Sequence, residues 1–180
     1  MKPQKTVLIT GTSTGIGRTC ALALDRLGYR IYAGIRKPED ADSLKRESSG
    51  NLQTILLDVT DQDSIKQAAE VVQKETDGKV YGLVNKAGIG RGGALEVTPV
   101  AEIRKVMEVN VVGVMAVMKA FLPMIRNTKG RIINIGSTAG YLSIPGSSVY
   151  AASKFAVRAF TDAMRLELKP FGIGVSLVSP

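Results

Sequence analysis

The β-branched, apolar run Thr6–Thr10 passes without a spacer into Gly11-Thr12-Ser13-Thr14-Gly15-Ile16-Gly17, and the pattern Ile16–Leu27 that follows has helical spacing. A strand that feeds a helix across so short and glycine-rich a turn leaves the chain few arrangements. The glycines allow a tight turn and a close approach of backbone to a bound group, which then faces the positive end of the helix. A diphosphate suits such a turn. The spacing is Gly-x-x-x-Gly-x-Gly rather than the Gly-x-Gly-x-x-Gly of the dinucleotide fingerprint, so the loop carries an extra residue, and Ser13 and Thr14 can offer hydroxyls to phosphate. Gly11–Gly15 also fits Gly-x-Ser-x-Gly, the turn that carries a hydrolase nucleophile. With no histidine in the sequence to activate Ser13, that match is set aside.

The missing histidine excludes Ser-His-Asp and Cys-His hydrolysis, histidine acid/base chemistry and nearly every catalytic zinc site, so no metal is expected. Acid/base work must fall to Tyr, Lys, Asp, Glu or Ser. Cys20 is the only cysteine, which rules out an internal disulfide and suits a reducing compartment.

Beyond the first turn, strand-like and helix-like stretches alternate. The strand candidates are Thr6–Thr10, Arg30–Ile35, Leu52–Leu57, Tyr81–Asn85, Arg131–Gly136 and Val175–Val178; the helix candidates are Ile16–Leu27, Pro38–Ser48, Ser64–Thr76, Val100–Ile125 and Ser148–Lys169. Val80–Val84 and Ile132–Ile135 are nearly continuous apolar runs, as parallel strands covered on both faces should be. Alternation with short connections predicts an α/β fold, a doubly wound parallel sheet with six strands visible, in a single domain over 1–180. Asp61 should cap the third helix and Thr98-Pro99 should open the fourth. The fourth pattern is long enough to predict a bend near Asn110-Val111-Val112-Gly113, and Pro123 should loosen its last turn.

The net charge of +8 is dispersed, with no basic stripe interleaved with aromatics, so nucleic acid is not expected as a partner. No apolar run long enough to span a bilayer is visible, and the first strand begins too early to leave room for a secretory or transit leader. A cytoplasmic setting is therefore expected.

In a dinucleotide-binding sheet the adenosine ribose is read at the end of the second strand, where a carboxylate would bond both hydroxyls and repel a 2′-phosphate. Here Ile31–Ile35 is followed by Arg36-Lys37, with Glu39 and Asp40 falling later, in the next helix. Charge complementarity favours NADP(H), with NAD(H) as the alternative. Asp58, ending the third strand beside Val59, can accept a bond from an adenine amino group.

Tyr150 and Lys154 lie one helical turn apart near the start of a helix opened by Ser147 or Ser148. A phenol titrating at about 10 is a poor base at neutral pH, but a nearby ammonium favours its phenolate. Ser137 follows an apolar strand, so its hydroxyl should emerge at the carboxyl end of the sheet, where ligands bind.

Thr10-Gly11-x-x-x-Gly15-Ile16-Gly17, Asp58-Val59, Asn85-Lys86-Ala87-Gly88, Asn110, Ser137 and Tyr150-x-x-x-Lys154, in this order and spacing, resemble the short-chain dehydrogenase/reductase family over the whole chain. The resemblance implies a Rossmann fold and hydride transfer between a nicotinamide dinucleotide and an alcohol or ketone. It implies that Tyr150 exchanges the substrate oxygen's proton, Ser137 holds that oxygen, Lys154 binds the nicotinamide ribose, and Asn110 supports a water leading from Lys154 to solvent. Gly11, Ser13, Thr14, Gly15, Ile16, Gly17, Asn85, Ala87, Gly88 and Pro180 would contact the cofactor. Two departures stand out. Lys86 replaces the second asparagine usual after the fourth strand, and an ammonium, having no acceptor, cannot copy a bridging amide. The family also continues past the proline matching Pro180, so a C-terminal strand and a substrate lid are expected to be missing, and the fragment could bind cofactor without turnover.

Tyr32–Arg36, Val80–Asn85 and Pro170–Val175 are similar to the steroid, retinol and hydroxybutyrate side of the family, which implies an apolar substrate. Tyr141, Leu142 and Ile144 could line its pocket or pack beneath a lid. The long helices around 100–125 and 148–169 would build a homodimer or homotetramer.

Overall fold

A computed structural model describes residues 4–180. The apolar runs form β1 (Thr6–Ile9), β2 (Arg30–Ile35), β3 (Leu52–Leu56), β4 (Gly82–Asn85), β5 (Arg131–Ile135) and β6 (Gly174–Val178). They pair in parallel as one six-stranded sheet in the order β3-β2-β1-β4-β5-β6. This is the doubly wound order: the chain walks outward from β1 to β3, returns to the centre and walks the other way. The turns after β1 and β4 therefore part in opposite directions and open a crevice at the carboxyl ends of adjacent strands.

Helices α1 (Gly15–Arg26) and α2 (Asp40–Glu47) cover one face, where Val7, Ile9, Ala21, Leu22, Ile31, Ala33 and Leu44 form a core. The other face is larger, and α3 (Gln62–Thr76), α5 (Gly113–Thr128) and α6 (Ser148–Leu168) bury Leu8, Val72, Leu83, Phe121, Ile125 and Ile132 there. Because both faces are covered at the centre, β1 and β4 are buried along their whole length, as their largely apolar runs required. Cover thins toward the β6 edge, where Val178 is exposed.

Asp61 caps α3, its Oδ1 accepting from the N–H groups of Asp63 (2.9 Å) and Ser64 (3.3 Å). The expected threonine cap of the fourth helical pattern does not form. Pro99 holds the cap position of α4 (Val100–Met107), and the Thr98 hydroxyl donates instead to the Ala94 carbonyl. The bend expected near Asn110 is a π-helical turn over Glu108–Val112, between α4 and α5. Pro123 does not end the helix, which runs on to Thr128 because Met124 and Ile125 beyond it are buried in the core.

No unbroken apolar run of membrane length is present, yet one helix reaches that length and average composition. Val100–Thr128 is one helical stretch of 29 residues, containing a window of mean hydropathy 1.6 that satisfies the length and composition of a membrane span. Dispersed Glu, Arg and Lys residues interrupt the apolar run without lowering its average enough to fail. In the fold, 56% of that window is buried inside the protein, as a helix lying on a sheet requires.

Candidate active site

Two adjoining cavities open at the carboxyl ends of the strands. The first, about 330 Å³, is bordered by Gly11, Ser13, Thr14, Arg36, Asp58, Val59, Lys86, Ala87 and Gly88. The second, about 230 Å³, is bordered by Ile16, Lys86, Gly88, Ser137, Tyr150, Lys154 and Pro180. A larger apolar groove of about 760 Å³ lies elsewhere, between α3 and α5, and holds none of these groups.

The glycine-rich turn is fixed by hydrogen bonds. The Thr12 hydroxyl and N–H both donate to the Gly34 carbonyl (2.9 and 3.0 Å), and Thr10 Oγ1 accepts from the N–H groups of Lys86 and Ala87. Gly11 has φ +69°, and a methyl there would meet the Ala87 Cα at 2.8 Å, so glycine alone lets the two turns touch. Gly17 is equally constrained, because a methyl would strike the Gly11 carbonyl oxygen. Helix α1 opens at Thr14 with no side-chain cap and no carboxylate in its first turn. Its leading N–H groups thus keep their donor capacity, and the Ser13 and Thr14 hydroxyls stand beside them. Uncapped donors, a positive helix end and Arg36 form the donor set that a dinucleotide's phosphates require, so these residues fit such a cofactor.

Several expected contacts fall elsewhere. Lys37 points to solvent and borders neither cavity; only Arg36 of the pair does. Strand β3 ends at Leu56, so Asp58 stands in the loop beyond it, where its Oδ1 already accepts from the Thr60 N–H and hydroxyl. Asn85 is buried in the sheet and borders no cavity, because its Nδ2 donates to Asn134 Oδ1 (2.8 Å) across the β4–β5 pair. The strand-bridging amide expected one position later is thus Asn85, and Lys86 is free to turn toward the crevice. Gly15 is open to solvent space, with nothing within 4 Å of an added methyl.

Ser137 follows β5 after a single residue, Gly136. Its Oγ accepts from the Ala139 N–H (3.2 Å), which leaves the hydroxyl proton available to donate. Pro180 lies alongside, its carbonyl accepting from the Thr138 N–H. Tyr150 and Lys154 share the inner face of α6, and the ammonium stands 5.7 Å from the centre of the phenol ring. Lys154 is only 7% exposed, and its Nζ donates to the Ile135 carbonyl (2.9 Å). Burial first, and then the charge of Lys86, hold its ammonium down to about 8 from the ordinary 10.5.

Asn110 sits in the π-helical turn and is 1% exposed. Its Oδ1 accepts from the Ile89 N–H, and its Nδ2 donates to the Ile89 carbonyl and to Ser153 Oγ. Ser153 in turn donates to the Tyr150 carbonyl (2.7 Å). The extra residue of a π turn aims Asn110 across the gap between α5 and α6, and its amide ties the loop after β4 to the helix that carries Tyr150. A methyl on Gly88 would lie 3.3 Å from Asn110 Oδ1 and 3.8 Å from Lys154 Nζ, so glycine keeps this junction open.

Tyr141, Leu142 and Ile144 line neither cavity; they are exposed, and Arg158 lies over the Tyr141 ring. Sequence reasoning missed Lys105, which borders the first cavity from α4, and the two-cavity position of Lys86. Helical spacing places Lys105 near Val109, but nothing in its neighbourhood marks it as different from the other surface lysines.

The family model for short chain dehydrogenases matches residues 5–180. The chain is 40% identical over 178 residues to the uncharacterized oxidoreductase YbbO of Escherichia coli (strain K12), an overlap of 98% of this chain and 65% of that protein. It is 40% identical to retinol dehydrogenase 5 of Homo sapiens, over 97% of this chain and 55% of the relative. It is 38% identical to the mitochondrial D-beta-hydroxybutyrate dehydrogenase of Rattus norvegicus, over 98% and 53%. The crystal structure of a short-chain dehydrogenase from Streptomyces avermitilis superposes with a TM-score of 0.95 at 36% identity, covering all of this chain and 66% of that one. The chain thus spans 53% to 65% of the length of these curated relatives.

Proposed function

Because the chain belongs to the short-chain dehydrogenase family, we propose that it is the dinucleotide-binding and catalytic portion of an oxidoreductase that interconverts an alcohol and a ketone, with NADP(H) preferred over NAD(H). The convergence of Ser137, Tyr150 and Lys154 on one cavity, which adjoins the glycine-rich turn, carries this reading.

A bound nicotinamide would supply or accept the hydride. The protein's part is to hold one oxygen and move one proton. The Ser137 hydroxyl, with its proton uncommitted, donates to the substrate oxygen. The Tyr150 hydroxyl gives that oxygen its proton in reduction and takes it back in oxidation. Lys154 spends one of its three donors on Ile135, and the remaining N–H groups are available to a ribose hydroxyl and to a water leading outward past Asn110. Asn110 is a positioning residue here, acting through Ile89 and Ser153.

Arg36 at the first cavity, with no carboxylate ending β2, supports the choice of NADP(H). Relatives named for retinol and hydroxybutyrate point to a small or apolar alcohol or ketone. The exposed apolar residues Met115, Phe155 and Leu166 on α5 and α6 support a homodimer or homotetramer, which light scattering after size exclusion would test.

The deciding experiment is fluorescence titration with NADPH and NADH, followed by cofactor consumption with a panel of ketones. The expected result is tighter binding of NADPH, turnover of an apolar ketone, and a Tyr150→Phe variant that binds cofactor normally but loses about a hundredfold or more in rate. Tighter binding of NADH would overturn the cofactor preference. Binding without turnover by any ketone would leave a nucleotide-binding protein and not an enzyme.

A further inference from the structure

Lys86 has no part in the proton and hydride chemistry above, yet it alone among the charged residues borders both cavities. Its backbone N–H is held by Thr10 Oγ1, which sets the direction in which its side chain leaves the β4 turn. The stem then runs against the start of α1, where a methyl on Gly17 would come within 3.2 Å of Lys86 Cδ. The side chain thus passes the start of α1 and borders the second cavity together with Lys154. The charged and titratable groups around it are Arg36 after β2, Asp58 after β3, Lys105 on α4, and Tyr150 and Lys154 on α6. Among the described residues no carboxylate forms an ion pair with Lys86, and Asp58 is already bonded to Thr60. Like charges gathered at a helix N-terminus repel one another until an anion sits among them.

We propose that Lys86 is a cofactor-binding residue whose ammonium meets the diphosphate bridge of the dinucleotide and, in meeting it, couples cofactor binding to the protonation of Lys154. The inference rests on the dinucleotide reading above and deepens it. Repulsion from Lys86 is one of the two causes that hold Lys154 down to about 8. A diphosphate at Lys86 cancels that repulsion, so Lys154 regains affinity for its proton and the complex takes up a fraction of a proton near that pH. The sign follows: the anion favours the protonated form of Lys154, so affinity for diphosphate ligands falls as pH rises through this range.

Calorimetric titration with ADP-ribose, which carries the diphosphate but no nicotinamide, tests the proposal without reference to turnover. The proteins are wild type, Lys86→Met, Lys86→Asn and Lys86→Arg, each checked for folding by circular dichroism. Met and Asn variants should each weaken binding by about tenfold, and Arg should stay within about threefold of wild type. Wild type should give an apparent enthalpy at pH 8 that changes between buffers of different ionisation enthalpy, and the Asn variant should lose that dependence. Met and Asn variants that bind as wild type does, or a buffer-independent enthalpy in wild type, overturn the proposal and leave the dinucleotide reading intact. A wild type that binds neither ADP-ribose nor NADPH overturns the dinucleotide reading itself. A merely structural Lys86 predicts a lower melting temperature with unchanged affinity.

Discussion

Replacing Gly113 by alanine sets two effects of opposite sign against each other. Gly113 is the first residue of α5, with φ −61° and ψ −40°, angles that suit any residue. On propensity alone the substitution should therefore stabilise the helix by about 1 kcal/mol. Packing opposes it, because the added methyl would stand 2.6 Å from the Val59 carbonyl oxygen and 2.9 Å from Val59 Cγ2. Overpacking of this kind costs about 1–3 kcal/mol, and the upper part of that range applies because the obstacle is backbone and not the tip of a flexible side chain. The net expectation is a loss of about 1–2 kcal/mol. Urea denaturation should show a lower midpoint at unchanged m-value. Val59 borders the first cavity, so the displaced loop should also weaken NADPH binding. A midpoint equal to or above that of wild type would refute the argument, since α5 could then withdraw at no cost.

Two further outcomes follow from the same structure. Lys154→Met should change stability in a pH-dependent way. The buried ammonium binds its proton more weakly folded than unfolded, so its cost is fully present below about 8 and is relieved as pH rises toward 10.5. The advantage of the Met variant, up to about 3 kcal/mol, should shrink over that interval, and a constant difference would contradict the assignment. Asp61→Ala should destabilise the protein by about 1 kcal/mol, with Asp61→Asn close to wild type; an alanine variant with an unchanged melting curve would remove the cap from the account.

The sheet was legible in the sequence because its central strands are buried on both faces and so are apolar at most positions. Thr6–Thr10 and Tyr81–Asn85 could hardly be anything else. The glycine-rich turn was equally legible, since close backbone approach excludes other residues at Gly11 and Gly17. Capping was read correctly at Asp61, where a short carboxylate precedes the helix and no other donor competes for it. It failed at Thr98 because the helix begins at Val100 with Pro99 in the cap position, which leaves Thr98 one residue outside it, and no local pattern reveals that shift. Spacing correctly grouped Tyr150 with Lys154, but it could not show that Arg36 faces the crevice while Lys37 faces water. That choice depends on where the chain leaves β2. Lys86 was the hardest to read. Its meaning rests on Asn85 already bridging the strands, which is a matter of side-chain direction in the folded sheet.

Asn85, Asn134 and Thr161 form a line of buried polar contacts from β4 through β5 to α6: Asn134 Nδ2 donates to Thr161 Oγ1 (2.9 Å), and that hydroxyl donates to the Val157 carbonyl. An apolar helix resting on an apolar sheet has several seats of nearly equal energy, because greasy contacts are indifferent to small slides and rolls. Pegs of this kind have one. Each half-turn of roll in α6 would strand an amide away from water, at a penalty of about 1–3 kcal/mol per group. The angle at which α6 offers Tyr150 and Lys154 to the crevice is thus set deep in the protein, by three side chains that border neither cavity.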